Sequence, residues 1–195
     1  MPETSLRNKA LNFLARREFT VKELRFKLKK YCPDPSEIET VIQDLIKSNL
    51  LSDERYSEAL IQQKLKSDVN LIEKMSNHHL SSGGKRLRAL LTLGSAKLTG
   101  YNENKRDINL AACVELIHSA TLMHDDVIDN GEIRRGKKTL NKIWGNQSSI
   151  LVGDYLLSRC FEMMVDDGNL EILKLLSSTS ALISQGEILQ LQHKG

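Results

Sequence analysis

Two carboxylates four residues apart, Asp125 and Asp129 in the string HDDVID, are the densest concentration of chemistry in this sequence. On a helix that spacing projects both side chains from one face. Like charges held there repel unless a cation sits between them. Hard oxygen donors suit Mg²⁺, which binds one or two carboxylates and completes its octahedron with water and substrate phosphates. His118 and Thr121 fall close to the same stripe at about 100° per residue. Taken alone, such a pair also reads as a solvated acidic helix end.

Two basic segments change that reading. Directly after the carboxylates comes Arg134-Arg135-Gly136-Lys137-Lys138, a loop suited to phosphate oxygens. Upstream lies Gly83-Gly84-Lys85-Arg86-Leu87-Arg88, glycines followed by cations at the start of a helix. Backbone N–H groups, the helix dipole, Lys85 and Arg88 are all suited to an anion there. An acid pair with two basic patches points to a metal–diphosphate site more specifically than any one of the three. His124 lies off the stripe and reads as structural, while His78-His79 lacks metal-ligand spacing to a third ligand and reads as surface.

The strings GGKRLR, ELIHSATLMHDDVID, EIRRGKKTLN, ILVGDYLLSRCFEMM and ISQGEILQL resemble the trans-type polyprenyl diphosphate synthases, in particular the long-chain octaprenyl type. The resemblance covers residues 64–191. It implies an all-α prenyltransferase fold in which Mg²⁺ helps to ionise an allylic diphosphate. The carbocation alkylates isopentenyl diphosphate and a proton is lost. Carried over position by position, it puts Mg²⁺ on Asp125 and Asp129 and the allylic diphosphate beside Arg134. Isopentenyl diphosphate would meet Lys85, Arg88, His118 and Arg135. Family members set product length four and five residues before the first aspartate; the small Thr121 and Ala120 imply a long product. Two departures stand out. Ala89 occupies a position where proline is usual. No second DDxxD follows, Asp166-Asp167 reading as a helix-end turn. The resemblance therefore implies a partial synthase, expected not to elongate chains alone and to leave an apolar face open to self-association or to a complementary synthase half.

The elements that must hold these residues all read as helices. The acid pair ends a long helix over about 107–129, followed by a polar loop from Asn130 to Trp144. Two helices over about 147–165 and 169–192 complete the chain, and no strand is expected. At the other end, Leu6, Ala10, Phe13 and Leu14 set a first helix running to about Arg17. Thr20-x-x-Glu23 is a capping box that opens a second. Asp34-Pro35-Ser36-Glu37 gives a third its N-cap and first-turn proline. Ser52-Asp53-Glu54 begins a fourth. The stretch 53–80, free of Gly and Pro, is either one long helix or two abutting at Ser67-Asp68.

Charge separates these regions. Residues 1–31 carry nine Lys or Arg against three Glu, a balance of +6; residues 32–66 stand at −3 and the remainder at zero. The basic face Arg16, Arg17, Lys22, Arg25, Lys29 and Lys30 suits a phosphate backbone, or is a solvated helix surface. Residues 6–65, from LARRE through T-x-x-E-L-R to L-x-D-E-R-Y, resemble the first helical repeat of RecX. That resemblance implies regulation of a recombinase–DNA filament. The organisation read from the chain is a three-helix repeat over 1–52, a shared helical junction over 53–68 in continuous phase, and a synthase-like domain over 69–195. The two incomplete resemblances meeting there suggest a fusion. With 40% hydrophobic residues, few glycines and prolines, three scattered cysteines, and neither a signal-type leader nor a membrane-length apolar run, a cytoplasmic globular protein is expected.

Overall fold

A computed structural model describes residues 5–83, 87–101 and 105–193. Its described residues form ten helices and one two-residue hairpin, the all-α class expected. The chain divides into two units, Met1–Gln63 and Lys64–Gly195.

In the first unit, helix α1 spans Leu6–Leu14, shorter than the expected run to Arg17. Helix α2 (Val21–Leu28) starts from the anticipated capping box, Thr20 accepting from the Glu23 amide and Glu23 reaching back to the Thr20 amide. Helix α3 (Pro35–Lys47) has Asp34 as its cap and proline at its start. Helix α4 runs from Asp53 to Lys64. The Asp53 carboxylate accepts from the Val21 amide at 2.9 Å, tying the first turns of α4 and α2 together. Leu24, Leu28, Ile42 and Leu45 are fully buried in the unit's own core. At its edge the Phe13 ring packs against the buried Phe19 and against Tyr31, with the Arg17 guanidinium over Phe19 at 3.7 Å and Lys27 over Phe13.

Of the two readings of 53–80, the structure takes the one with two helices parting around Ser67-Asp68, and the continuous helical phase expected across the junction is corrected. Residues 65–69 are not helical, and α5 begins only at Asn70, ending at Leu80. The Ser67 hydroxyl accepts from the Val69 amide at 3.1 Å, a local side-chain bond that competes with the helical ladder. The two families' strings are thus not in one helical phase.

The second unit continues with α6 (Leu87–Leu98) and the 23-residue α7 (Arg106–Ile128). After it come β1 (Ile133–Arg134), β2 (Lys137–Lys138), α8 (Leu140–Trp144), α9 (Asn146–Asp167) and α10 (Leu170–His193). Helix α7 is buried or half-buried along most of its length, packing against both α6 and α9, as apolar residues spread around its whole circumference demand. Cys113 and Cys160 meet at the α7–α9 contact, each thiol directed at the other's carbonyl. Gly153 lets the helices approach there: a Cβ on it would stand 2.4 Å from His124 Nε2. The Ser149 hydroxyl bonds the Met123 carbonyl across the same contact.

Asp166-Asp167 do end a helix. Gly168 takes the left-handed conformation that stops α9, and the buried Asp167 pairs with Arg106 at 2.7 Å, pinning the start of α7 to the end of α9. The supposed loop 130–144 is instead ordered as the hairpin and α8, and the absence of strands is corrected to this one ribbon. Among the described residues, no helix is long and apolar enough to cross a membrane.

Candidate functional site

The C-terminal half of α7 and the middle of α10 face each other across a cavity of about 410 Å³. From α7 come Val114, Ile117, His118, Thr121, Leu122 and Asp125, and from α10 Leu176, Thr179, Ser180 and Ile183. Both sets recur at three and four residues, so each is one stripe of its helix. Arg88 of α6 completes the wall. Glu187, one turn beyond Ile183 on α10, acts electrostatically on Asp125. The cavity wall therefore carries three ionisable side chains, Arg88, His118 and Asp125, while apolar side chains and small hydroxyls line the rest.

The electrostatics of this wall follow from crowding. Burial, then repulsion from Glu187, pushes the Asp125 carboxyl above its usual range; Arg134 opposes this, and Asp129 and Asp126 add to it. Burial, then the Arg88 charge, holds His118 below the ordinary imidazole range, with Arg135 and Arg134 acting the same way and Glu115 opposing. At neutral pH His118 is uncharged, able to donate through one ring nitrogen and accept through the other. Asp129 is the exposed C-cap residue of α7.

The basic loop is held by its hairpin. Arg135 and Gly136 both have positive φ, 51° and 78°, the signature of the two-residue turns that match strand twist. Arginine is a costly residue at such a position, as strain concentrated at functional sites often is. Arg135 donates to the Gly83 carbonyl, Lys137 to the Ser81 carbonyl at 2.9 Å, and His78 Nε2 contacts the Lys138 carbonyl at 2.9 Å. The structure thereby joins the two basic segments that are fifty residues apart in sequence. Lys85 lies outside the described residues. His78, read as surface, is half-buried with its ring edge-on to Trp144 at 5.4 Å, which corrects that expectation. His124 is structural as expected, wedged against Gly153 and bonded to the Ile150 carbonyl.

Sequence reasoning passed over Asp126. Its buried carboxylate takes Arg134 side-on, Nε lying 2.9 and 3.1 Å from the two oxygens. No periodic signal announces this pair, because it closes across a turn rather than along a helix face. Ala89 also gains a role: its amide donates to the buried Glu115 carboxylate at 3.3 Å, a donor that the usual proline lacks.

The donor set fits a hard divalent cation. Asp125 and Asp129 offer oxygen ligands, and the crowding of negative charge around Asp125 is what such an ion relieves. Among the described residues no three His, Cys, Asp or Glu side chains form a closed metal cage. Mg²⁺ does not require one, since it keeps water and substrate oxygens in its shell.

In the first unit, the basic face is partly spent internally. Arg17 pairs with Glu23 and Arg25 with Glu39, while Arg16, Lys29 and Lys30 stand exposed.

Comparison with known proteins finds a match in each unit. Residues 7–45 match the family model for the first three-helix domain of RecX. Residues 69–195 match the polyprenyl synthetase model. Octaprenyl diphosphate synthase of Escherichia coli (strain K12) is 43% identical over 135 residues, 69% of this chain and 42% of that protein. Component 2 of the heptaprenyl diphosphate synthase of Bacillus subtilis (strain 168) is 38% identical over 134 residues, 69% of this chain and 38% of its own length. The polyprenyl synthase of Caulobacter crescentus CB15, solved with calcium and isoprenyl diphosphate, superposes with a TM-score of 0.69 at 45% identity, covering 71% of this chain and 42% of that one. The chain thus spans about two fifths of the length of these relatives. Through its second unit, the chain belongs to the polyprenyl synthetase family.

Proposed function

We propose that residues 69–195 supply the first diphosphate-binding part of a trans-prenyltransferase site, with 1–52 as a RecX-like repeat and 53–68 as the junction. The observation that carries this reading is the cavity between α7 and α10, whose ionisable wall groups and apolar body suit an anionic head on a hydrocarbon chain. In this reading Asp125 and Asp129 hold Mg²⁺, which when bound offsets the charge of the departing diphosphate. Arg134 binds oxygens of the allylic diphosphate. Arg88, Arg135 and Lys85 bind those of isopentenyl diphosphate, beside a neutral His118. The apolar stripes exclude water from the allylic carbon while its C–O bond breaks, the new C–C bond forms and a proton leaves.

A single DDxxD within these 195 residues supports diphosphate binding as the part of the reaction that this segment carries. Its completing partner would be a complementary synthase half, a reading that a relative named as one component of an enzyme favours. Calorimetry with Mg²⁺ and inorganic diphosphate tests the binding: saturable heat is expected for the intact chain and none for Asp125→Ala. Co-expression with a downstream synthase half should yield elongation that the chain alone lacks. Elongation by the purified chain alone, abolished by Asp125→Ala, would overturn the binding-only reading.

A second reading rests on the RecX match and the exposed Arg16, Lys29 and Lys30. It makes the first unit a module for a recombinase–DNA filament. Salt-sensitive filament binding, lost when those three charges are reversed, supports it; no binding at low salt removes it.

A further inference from the structure

Asp126 sits between the two proposed magnesium ligands in sequence, but one residue along a helix turns the side chain about 100° off their stripe. Its surroundings give it different work. Nε of Arg134 lies 2.9 Å from Oδ1 and 3.1 Å from Oδ2, and Nη2 lies 2.9 Å from Oδ1. With both oxygens engaged and its side chain 7% exposed, this carboxylate has little left for a metal ion. The guanidinium carries five N–H donors, and the side-on pair uses the Nε edge alone, leaving Nη1 unused. The Arg134 charge is felt at both His118 and Asp125, two residues of the cavity wall.

The backbone around the pair is also fixed. The Asp126 carbonyl accepts from the Gly131 amide at 2.9 Å and from Asn141 Nδ2 at 3.1 Å. The Gly131 carbonyl accepts from the same Asn141 nitrogen and from the Thr139 hydroxyl at 2.7 Å. Both ends of the hairpin are thereby cinched to one residue of α7. A Cβ on Gly131 would stand 3.2 Å from Asp126 Oδ1, so the packing is close.

The geometry points to Asp126 as a positioning residue that fixes the Arg134 guanidinium by its Nε edge and turns the opposite edge toward a diphosphate. This rests on the diphosphate reading above and adds to it a carboxylate that acts through an arginine. It predicts coupling, which a double-mutant cycle on the intact chain measures by titration with Mg²⁺ and inorganic diphosphate. Asp126→Asn should weaken diphosphate binding about tenfold, with helicity retained. In an Arg134→Ala background the same substitution should change the affinity by less than about twofold, because no guanidinium remains to be aimed.

An unchanged affinity for Asp126→Asn, or an equal loss in both backgrounds, overturns the proposal while leaving the diphosphate reading intact. Failure of the parent chain to bind diphosphate overturns both. Should Asp126→Asn not fold, Arg134→Lys carries the test, since lysine keeps the charge but cannot form the side-on pair. A comparable loss is expected, and parental affinity there overturns the proposal.

Discussion

Asp125 and His118 line one cavity and are displaced from their ordinary protonation in opposite directions. The folded Asp125 carboxyl holds its proton more tightly than the unfolded one, so its ionisation takes stability away as pH rises above the ordinary carboxylate range. Asp125→Asn removes that penalty. With no divalent cation present, it should raise Tm at pH 7 while abolishing Mg²⁺–diphosphate binding, as thermal scans and calorimetry would read. For His118 the sign reverses. The unfolded chain takes up a proton near pH 6.5 that the folded chain still refuses, so stability falls as pH drops through that range. His118→Gln should flatten this part of the pH–stability curve. A gain below pH 6 relative to the parent chain, and little change at pH 8, is the expected pattern. The stripe that joins these two residues was legible from spacing alone, because helical period is a property of sequence. Their partner Glu187 was not, since nothing in the order of residues says which helix returns to face α7.

At the scale of elements, the contact between α7 and α9 depends on a missing side chain. Gly153→Ala would put a methyl group within 2.8 Å of two His124 ring atoms. The imidazole must leave its bond with the Ile150 carbonyl or the helices must separate, at a cost of about 1–3 kcal/mol. His124→Ala should recover most of that loss, so the double variant should be more stable than additivity requires. Urea denaturation of the four chains would decide this. Element ends carrying their own chemistry could be read in advance: the Thr20 box, the Asp34-Pro35 start and the Gly168 stop. Ends decided by competition could be read only in part, since 53–80 allowed a break at Ser67-Asp68 without requiring one. The break at 65–69 is made by a serine bond and the fold around it, and the run contains neither Gly nor Pro. The 133–138 ribbon was hidden because its turn uses Arg135 where Asn or Asp would have signalled it.

Across the whole molecule, burial is distributed unevenly. Ten residues of α7 are buried, whereas none of the 24 in α10 is, although α10 supplies one wall of the cavity. A helix with so little packing relies on its own hydrogen bonds and lacks the tertiary contacts from which helices in proteins draw most of their stability. Amide exchange should therefore be markedly faster in α10 than in α7, with slow exchange throughout α10 the contrary result. A ligand that spans both stripes must order this helix as it binds, so part of its intrinsic affinity is spent on α10. Binding isotherms would then understate how well the site fits its ligand. The same helix would act as a built-in gauge, its exchange slowing in proportion to whatever occupies the cavity.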